Sequence, residues 1–170
     1  LIEQAEVLLG TSPLLRKIPE TNAERIEIGG GLESLKETIV KLPKLATVML
    51  AGGDPLFYGI ARYLTDSFGK DRFEVVPHVS SMQLAFARVK ESWDDAYLTN
   101  LATQSLDRVV DNIRTAERVG LFTTELISPS VVAEALLDRR IDYFTVYVCE
   151  NLGTPDEVVT QGNLHSIREQ

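Results

Sequence analysis

The chain has 170 residues, of which 44% are hydrophobic and 25% charged, and its formal net charge at pH 7 is -8. This composition is typical of a globular protein and excludes extensive disorder and fibrous repeats. A single cysteine, Cys149, excludes a disulfide framework and a cysteine-built zinc site, and two histidines disfavour a histidine-built metal cluster. No apolar run is long enough for a membrane span and no leader-like segment opens the chain, so we expect a reducing, cytoplasmic compartment.

The acidic balance bears on which ligands the protein can hold. Nucleic acids are bound through clustered lysine and arginine side chains, so a net charge of -8 disfavours a DNA or RNA partner. A polyanionic ligand would have to be held by local bases, such as Arg62, Arg88 or Arg108.

The first part of the chain predicts a helix running into a short strand over residues 2–8, and a helix over residues 32–42 after a flexible glycine turn at 29–31. Four later segments then share one pattern, in which an apolar run is followed by a small or polar loop and a helical pattern. The apolar runs are residues 47–51, 73–77, 118–122 and 143–149, and the helices expected after the first three are residues 56–68, 82–90 and 129–139. The fourth run is followed by a short polar segment and a polar helix-like tail over residues 164–170. This alternation predicts βαβ units with parallel strands.

Residues 91–95 interrupt this pattern, and we interpret them as the joint between two lobes, residues 1–94 and 95–170. The predicted fold class is therefore α/β, with two small α/β lobes that have mostly parallel sheets and a cleft between them. We expect the first lobe to lack its first strand and the second lobe to lack its last strand. Helix starts are predicted at Asp54-Pro55 and Ser128-Pro129, where an N-cap residue precedes a proline.

Candidate ligand-binding residues follow the predicted strands, because ligands of open α/β sheets bind beyond the carboxyl ends of the strands. Gly52 and Gly53 would let a ligand approach the backbone closely, and Asp54 could cap its helix, accept a hydrogen bond from a ligand, or do both. The other small, polar loops contain Ser80 and Ser81, Thr123 and Thr124, and residues 150–154. Each of these could equally be a helix cap or a plain turn, but all four loops are expected at one edge.

Most other reactive side chains have simple structural interpretations. We expect Cys149 to be a buried, inert thiol, and His78 to be a surface residue or a ligand contact. The remaining expectations are a solvated His165, a solvated turn at Asp94 and Asp95, and packing of Trp93 with Phe86 at the joint between the lobes.

Two stretches together resemble the tetrapyrrole (corrin/porphyrin) methylase family. They are residues 50–60, Leu-Ala-Gly-Gly-Asp-Pro-Leu-Phe-Tyr-Gly-Ile, and residues 75–88, Val-Val-Pro-His-Val-Ser-Ser-Met-Gln-Leu-Ala-Phe-Ala-Arg. The segments at residues 93–96 and 152–157 fit the branch of the family that methylates C-5 of a precorrin or cobalt-precorrin in cobalamin biosynthesis. The resemblance covers nearly the whole chain.

The resemblance implies an enzyme with two α/β lobes that binds S-adenosylmethionine in the cleft between them, in a homodimer, and methylates a tetrapyrrole. It also implies a C-15 decarboxylating methylase as a candidate fused domain or subunit. Independently of the resemblance, the acidic charge and the lack of a membrane-length apolar run lead us to expect neither a nucleic acid nor a membrane partner. The resemblance assigns no catalytic residue and no metal. Carried over position by position, the cofactor contacts are Gly52, Gly53, Asp54, Phe57, Ser80, Ser81, Thr123 and Gly153.

The sequence departs from the family pattern in three places. The glycine-rich opening strand is absent, His78 replaces a glycine, and residues 99–104 lack the histidine and arginine of a Ser-Leu-His-Gly-Arg-like segment. The last departure leaves two alternatives open. One is a methylase of the same family with another acceptor, such as a different ring position, a diphthamide precursor or ribosomal RNA, and the other is a non-catalytic cofactor-binding partner of the C-15 methylase.

Overall fold

The computed structural model describes residues 1–42 and 46–170, and these residues form two compact units, Leu1–Ser80 and Ser81–Gln170. The joint expected at residues 91–95 lies inside the second unit. There the Trp93 ring packs on the Phe86 ring, with 6.5 Å between their centroids, which confirms this contact but places it within one unit. The division into functional lobes 1–94 and 95–170 stays a prediction.

The first unit is built on three parallel strands in the order β2-β1-β3. Its elements in chain order are β1 (Val7–Gly10), α1 (Ser12–Lys17), β2 (Glu24–Glu27), α2 (Leu32–Lys41), β3 (Thr47–Met49) and α3 (Ala61–Phe68), with short 3₁₀ turns at Ile2–Gln4 and Lys70–Arg72. The central strand β1 is an uninterrupted apolar run, and its residues are buried because a strand of a parallel sheet is covered on both faces. Leu8 forms a small core with Leu15 and Ala23.

Two predictions fail in the first unit. The helix expected over residues 56–68 begins only at Ala61, so Asp54 is not its N-cap. The run at residues 73–77 forms no strand pairing. Hydrophobicity alone does not make a strand, since a strand needs a hydrogen-bonded neighbour, and Pro77 has no backbone N–H to donate. The helix over residues 32–42 is confirmed as α2.

The second unit contains two separate two-stranded sheets and four helices. Its elements are α4 (Ser81–Val89), β4 (Tyr97–Asn100), α5 (Leu106–Ile113), β5 (Val119–Phe122), α6 (Pro129–Asp138), β6 (Thr145–Glu150), β7 (Val158–Asn163) and α7 (Leu164–Arg168). β4 pairs with β5 in parallel, and β6 pairs with β7 in antiparallel register from Thr145–Asn163 to Glu150–Val158. The core is formed by Leu101, Val109, Val110, Ile113, Val132, Ala133, Leu136, Ile141, Leu164 and Ile167.

The α/β fold class with mostly parallel strands is confirmed, since three of the four strand pairings in the described ranges are parallel. The start of α6 is also confirmed, because the Ser128 hydroxyl accepts a hydrogen bond from the Val131 N–H and Pro129 follows it. We expected only a short polar segment between the fourth apolar run and the helix-like tail, and this prediction is wrong. β-Branched Val158, Val159 and Thr160 continue into a strand that returns beside β6.

The close packing around Gly120 in β5 gives a test of this fold. A Cβ atom at Gly120 would lie 2.5 Å from Met82 Sδ and 2.9 Å from both Leu98 Cδ2 and Phe86 Cε2. Met82 and Phe86 are buried, so neither side chain has room to move far. We expect Gly120→Ala to lower the free energy of unfolding in a urea titration by about 1–3 kcal/mol.

Gly29→Ala is the matched control for this substitution. A Cβ atom at Gly29 meets nothing within 4 Å, so this variant should unfold close to the unsubstituted protein. Equal stability of the two variants would contradict the packing of α4 against β5.

Candidate functional site

The carboxyl edge of the first-unit sheet is set by two carbonyl groups at the end of β1. Leu9 O accepts a hydrogen bond from the Leu50 N–H at 2.7 Å, and Gly10 O accepts one from the Ile28 N–H at 2.9 Å. The segments that follow β2 and β3 therefore leave the sheet on either side of the end of β1, one entering the glycine turn at residues 29–31 and the other entering Gly52 and Gly53.

A cleft of ≈ 330 Å³ opens at this edge. It is lined by Thr11, Leu14, Ile28, Gly29, Gly31, Leu32, Leu35, Met49, Leu50, Ala51, Gly52, Gly59 and Ile60. Cβ atoms added at Gly29, Gly31 and Gly52 would meet no other atom within 4 Å, so part of the wall is bare backbone facing open space. Such a wall permits a ligand to approach the main chain closely.

Of the predicted contacts in this unit, Gly52 lines the cleft, whereas Gly53, Asp54 and Phe57 belong to the turn that follows. Asp54 stabilises that turn itself, since its Oδ1 accepts a hydrogen bond from the Leu56 N–H at 2.8 Å. Its carbonyl accepts a second bond from the Phe57 N–H at 3.2 Å. Phe57 therefore lies in a turn and not, as expected, one turn into a helix, and its ring contacts the Tyr58 ring edge to face at 4.9 Å.

The turn continues as far as residue 60 because the backbone of Tyr58 is in the left-handed region before α3 begins. Tyr58 has φ = 53°, and the Ala61 N–H donates to the Pro55 carbonyl at 3.0 Å. A Cβ atom at Gly59 would lie 2.4 Å from the same carbonyl oxygen, so only glycine fits there. These contacts keep residues 54–60 out of the helix that the Asp-Pro pair predicts.

The second unit contains a larger cavity of ≈ 1010 Å³. Its walls include residues of α4, β5, α6 and β6, and β5 and β6 belong to different sheets. Among the predicted contacts, Ser81 and Thr123 line this cavity, and so do Asn151 and Leu152 from the turn after β6. Ser80 is buried immediately before α4, at 5% exposure, and is not part of the lining.

The loop after β5 is closed by its own hydrogen bonds. The Thr124 N–H donates to the Ile127 carbonyl at 3.1 Å, and the Ile127 N–H donates to Thr124 Oγ1 at 3.0 Å. This closure uses Thr124 as a structural residue and leaves the neighbouring Thr123 exposed at the cavity. The two threonines, which the sequence does not distinguish, therefore differ in role.

Gly153 lies in the turn between β6 and β7, where its φ of 77° favours glycine. Its N–H donates to Glu157 Oε2 at 2.7 Å. Glu157 also pairs with Arg88 of α4, whose Nη2 donates to the same oxygen at 3.1 Å while its Nε bonds to Oε1. The Arg88 guanidinium holds the pKa of the Glu157 carboxyl below its usual range, with a further contribution from the Gly153 N–H. Arg88, considered above as a base for a polyanionic ligand, is thus engaged inside its own unit.

The remaining reactive groups are placed largely as expected. Cys149 is half-buried on β6, and burial raises the pKa of its thiol, which fits an inert side chain. His78 and His165 are exposed. Asp94 and Asp95 lie in an exposed turn, as expected, and both carboxylate oxygens of Asp95 also accept hydrogen bonds from Arg118 Nη1 at 3.0 Å. Among the residues outside positions 43–45, no cluster of histidine, cysteine or carboxylate side chains could hold a metal ion.

Sequence reasoning missed the contributions of β1 and β2 to the cleft. Thr11 follows β1, and Ile28 and Gly29 follow β2. A signal was present at the first position, since Thr11 and Ser12 precede Pro13 as helix-start residues. β2 offered little signal, because its sequence Glu-Arg-Ile-Glu is mostly charged and exposed.

Comparisons with known proteins identify relatives of this chain and structures with the same fold. The cobalt-precorrin-7 C(5)-methyltransferase of Salmonella typhimurium is 27% identical over 156 residues, which are 92% of this chain and 77% of the relative. The solved structure of a cobalt precorrin-4 methyltransferase has the same fold, with a TM-score of 0.77 and 20% identity over 98% of this chain and 78% of that one. So does a uroporphyrin-III C-methyl transferase from Thermus thermophilus complexed with S-adenyl homocysteine, with a TM-score of 0.63 and 21% identity over 99% and 76% of the two chains.

The family model described as tetrapyrrole (corrin/porphyrin) methylases matches residues 1–168. Because this match spans nearly the whole chain, the protein belongs to the tetrapyrrole (corrin/porphyrin) methylase family.

Proposed function

We propose that this protein, an S-adenosylmethionine-dependent methyltransferase by its family, methylates C-5 of a precorrin or cobalt-precorrin ring in cobalamin biosynthesis. The observation that carries the proposal is the similarity to the Salmonella typhimurium cobalt-precorrin-7 C(5)-methyltransferase, which extends over 92% of the chain. The segments that fit the C-5 branch, residues 93–96 and 152–157, lie directly before β4 and in the turn between β6 and β7.

The first-unit cleft fits part of a nucleoside-bearing donor. Open space lies where side chains would be at Gly29, Gly31 and Gly52, so planar or polar groups can reach the backbone there. We propose that the donor is held by backbone groups at Gly52 and Gly53, by the Asp54 carboxylate and by Phe57. The other proposed donor contacts are Ser80, Ser81, Thr123 and Gly153.

S-Adenosylmethionine supplies a methyl group on a positively charged sulfur, which is already an activated electrophile, so no protein nucleophile is needed. The residues of this chain then have three tasks: to fix the donor, to align it with the acceptor carbon and to keep water out. Holding two reactants in line is worth up to about 7–11 kcal/mol of barrier, which makes positioning the main catalytic resource of such a site. A cationic donor also suits an acidic protein with a net charge of -8.

We further propose a homodimer and a cytoplasmic location, as the family resemblance and the single cysteine suggest. In the residues that the structure describes, no helix is both long enough and apolar enough to cross a membrane. A decarboxylating C-15 methylase is the proposed functional partner, since curated relatives named precorrin-6Y C(5,15)-methyltransferase [decarboxylating] align with 64–66% of this chain along 27% of their own length.

The donor site can be tested with Asp54→Ala, alone and combined with Ser80→Ala. Asp54 stabilises its turn and is a proposed carboxylate contact of the cationic donor, so we expect its loss to raise the Kd for S-adenosylmethionine about tenfold in titration calorimetry. Asp71→Ala is the matched control, because Asp71 is an exposed aspartate in a 3₁₀ turn of the same unit, outside the cleft. An unchanged Kd in the double variant defeats this site assignment.

The acceptor can be tested by incubating the protein with S-adenosylmethionine and cobalt-precorrin-7 and locating the new methyl group by NMR. We expect one methyl group at C-5 for each S-adenosylhomocysteine formed. Methyl transfer to another position would identify a different acceptor within the family. Tight donor binding without any transfer, together with co-purification of a C-15 methylase, would instead identify a non-catalytic partner, in line with the altered segment at residues 99–104.

A further inference from the structure

The turn between β6 and β7 is tied to α4 by one carboxylate. Glu157 lies at the end of this turn and accepts hydrogen bonds from two directions, from the Arg88 guanidinium on α4 and from the Gly153 N–H within the turn. Arg88 presents two nitrogens to the two carboxylate oxygens, which is the geometry that gives an arginine–carboxylate pair directional specificity. The two residues are 69 positions apart, so the pair joins distant parts of the second unit.

The turn needs such a tie because its backbone is unusual. Asn151 has φ = 51° and Gly153 has φ = 77°, so two of its residues occupy the left-handed region. Within the turn, the Thr154 N–H and hydroxyl both donate to the Asn151 carbonyl, at 3.1 and 2.8 Å. These local bonds shape the turn but do not fix it relative to α4. A Cβ atom at Gly153 would lie 3.4 Å from Leu84 Cδ1, so the turn runs directly over that helix.

The same two segments form part of the wall of the second-unit cavity. Asn151 and Leu152 line it from the turn, and Ser81, Met82 and Ala85 line it from α4. Arg88 and Glu157 themselves are not part of the lining. The ion pair therefore joins the two segments that carry these wall residues and is itself outside the cavity lining.

We propose that Arg88 and Glu157 are positioning residues that hold the Asn151–Gly153 turn against α4 and so keep the second-unit part of the donor site formed before S-adenosylmethionine binds. This inference rests on the proposed function, since it assigns the turn and the start of α4 to the donor site. A pre-formed wall reduces the ordering cost of binding, so the pair should affect donor affinity more than the rate of transfer.

The test is a double-mutant cycle on the Kd for S-adenosylmethionine, with Arg88→Ala, Glu157→Ala and the double variant measured by calorimetry. Each single variant should raise the Kd about three- to tenfold. The double variant should be no weaker than Glu157→Ala alone, because both substitutions remove the same tie. Turnover at saturating donor should stay within about twofold of the unsubstituted protein, whereas KM for the donor rises.

Arg139→Ala is the matched control. Arg139 also pairs with two carboxylates of the second unit, Asp107 at 2.6 Å and Asp111 at 3.2 Å, but is not part of the cavity wall. Its substitution should leave the Kd unchanged. An equal rise in Kd for this variant would show a general loss of structure and would overturn the positioning role.

Hydrogen–deuterium exchange at the Gly153 amide gives a readout that does not depend on the donor. Exchange should be faster in Glu157→Ala than in the unsubstituted protein, because the carboxylate acceptor is removed. Glu157→Gln keeps an acceptor oxygen while losing the charge, so it should restore most of the protection and remains usable if Glu157→Ala folds poorly.

The outcomes separate the two proposals. If the unsubstituted protein does not bind S-adenosylmethionine, the proposed function fails and this inference fails with it. If the protein binds the donor but the cycle shows no coupling, or Gly153 exchange is unchanged in Glu157→Ala, only the positioning role is overturned.

Discussion

Two main-chain hydrogen bonds at the end of β1 fix the arrangement on which the first-unit cleft depends. The carbonyls of Leu9 and Gly10 receive the N–H groups of Leu50 and Ile28, so the chain leaves β2 and β3 at the same level of the sheet. β1 can supply these bonds on both sides because it is the central strand and is fully buried. The approach is close, since a Cβ atom at Gly10 would lie 3.2 Å from Leu50 Cβ. These bonds hold the residues next to Gly29 and Gly52 at the edge where the cleft opens.

The sequence predicted helices correctly where local signals and tertiary packing agree. α6 has an N-cap serine, a following proline and an apolar face, and its predicted start at Pro129 is correct. α2 follows a glycine turn and ends within one residue of the prediction. The helix predicted from residue 56 fails for the opposite reason. Its Asp-Pro pair is a valid start signal. The left-handed Tyr58 and the contact of Gly59 with the Pro55 carbonyl arise only in the folded turn, so helix propensity does not reveal them.

Strand prediction failed where pairing decides the outcome. Residues 73–77 contain three apolar side chains, as β5 does, yet they form no strand pairing. The charged segment Glu24–Glu27 is a strand because β1 offers it a hydrogen-bonding edge. β7 shows the same dependence, since its β-branched residues form a strand only through the return of the chain beside β6. In the candidate site, sequence reasoning found the loops after β3, β5 and β6 and missed those after β1 and β2. The apolar-run criterion could not identify β2, since its side chains are mostly charged.

The glycine-containing loops of the two units are fixed by different kinds of contact. A loop made of glycine and small residues can approach a ligand closely, but its backbone freedom must be removed before or during binding. In the first unit, strand carbonyls and the Asp54 side chain remove that freedom with bonds that lie next to the loop in sequence or in the sheet. In the second unit, the turn after β6 has no parallel neighbour strand to fix it, since β6 pairs only with β7 among the described strands. There the turn is joined instead to α4 by the ion pair of Glu157 with Arg88, which lies 69 residues earlier in the chain.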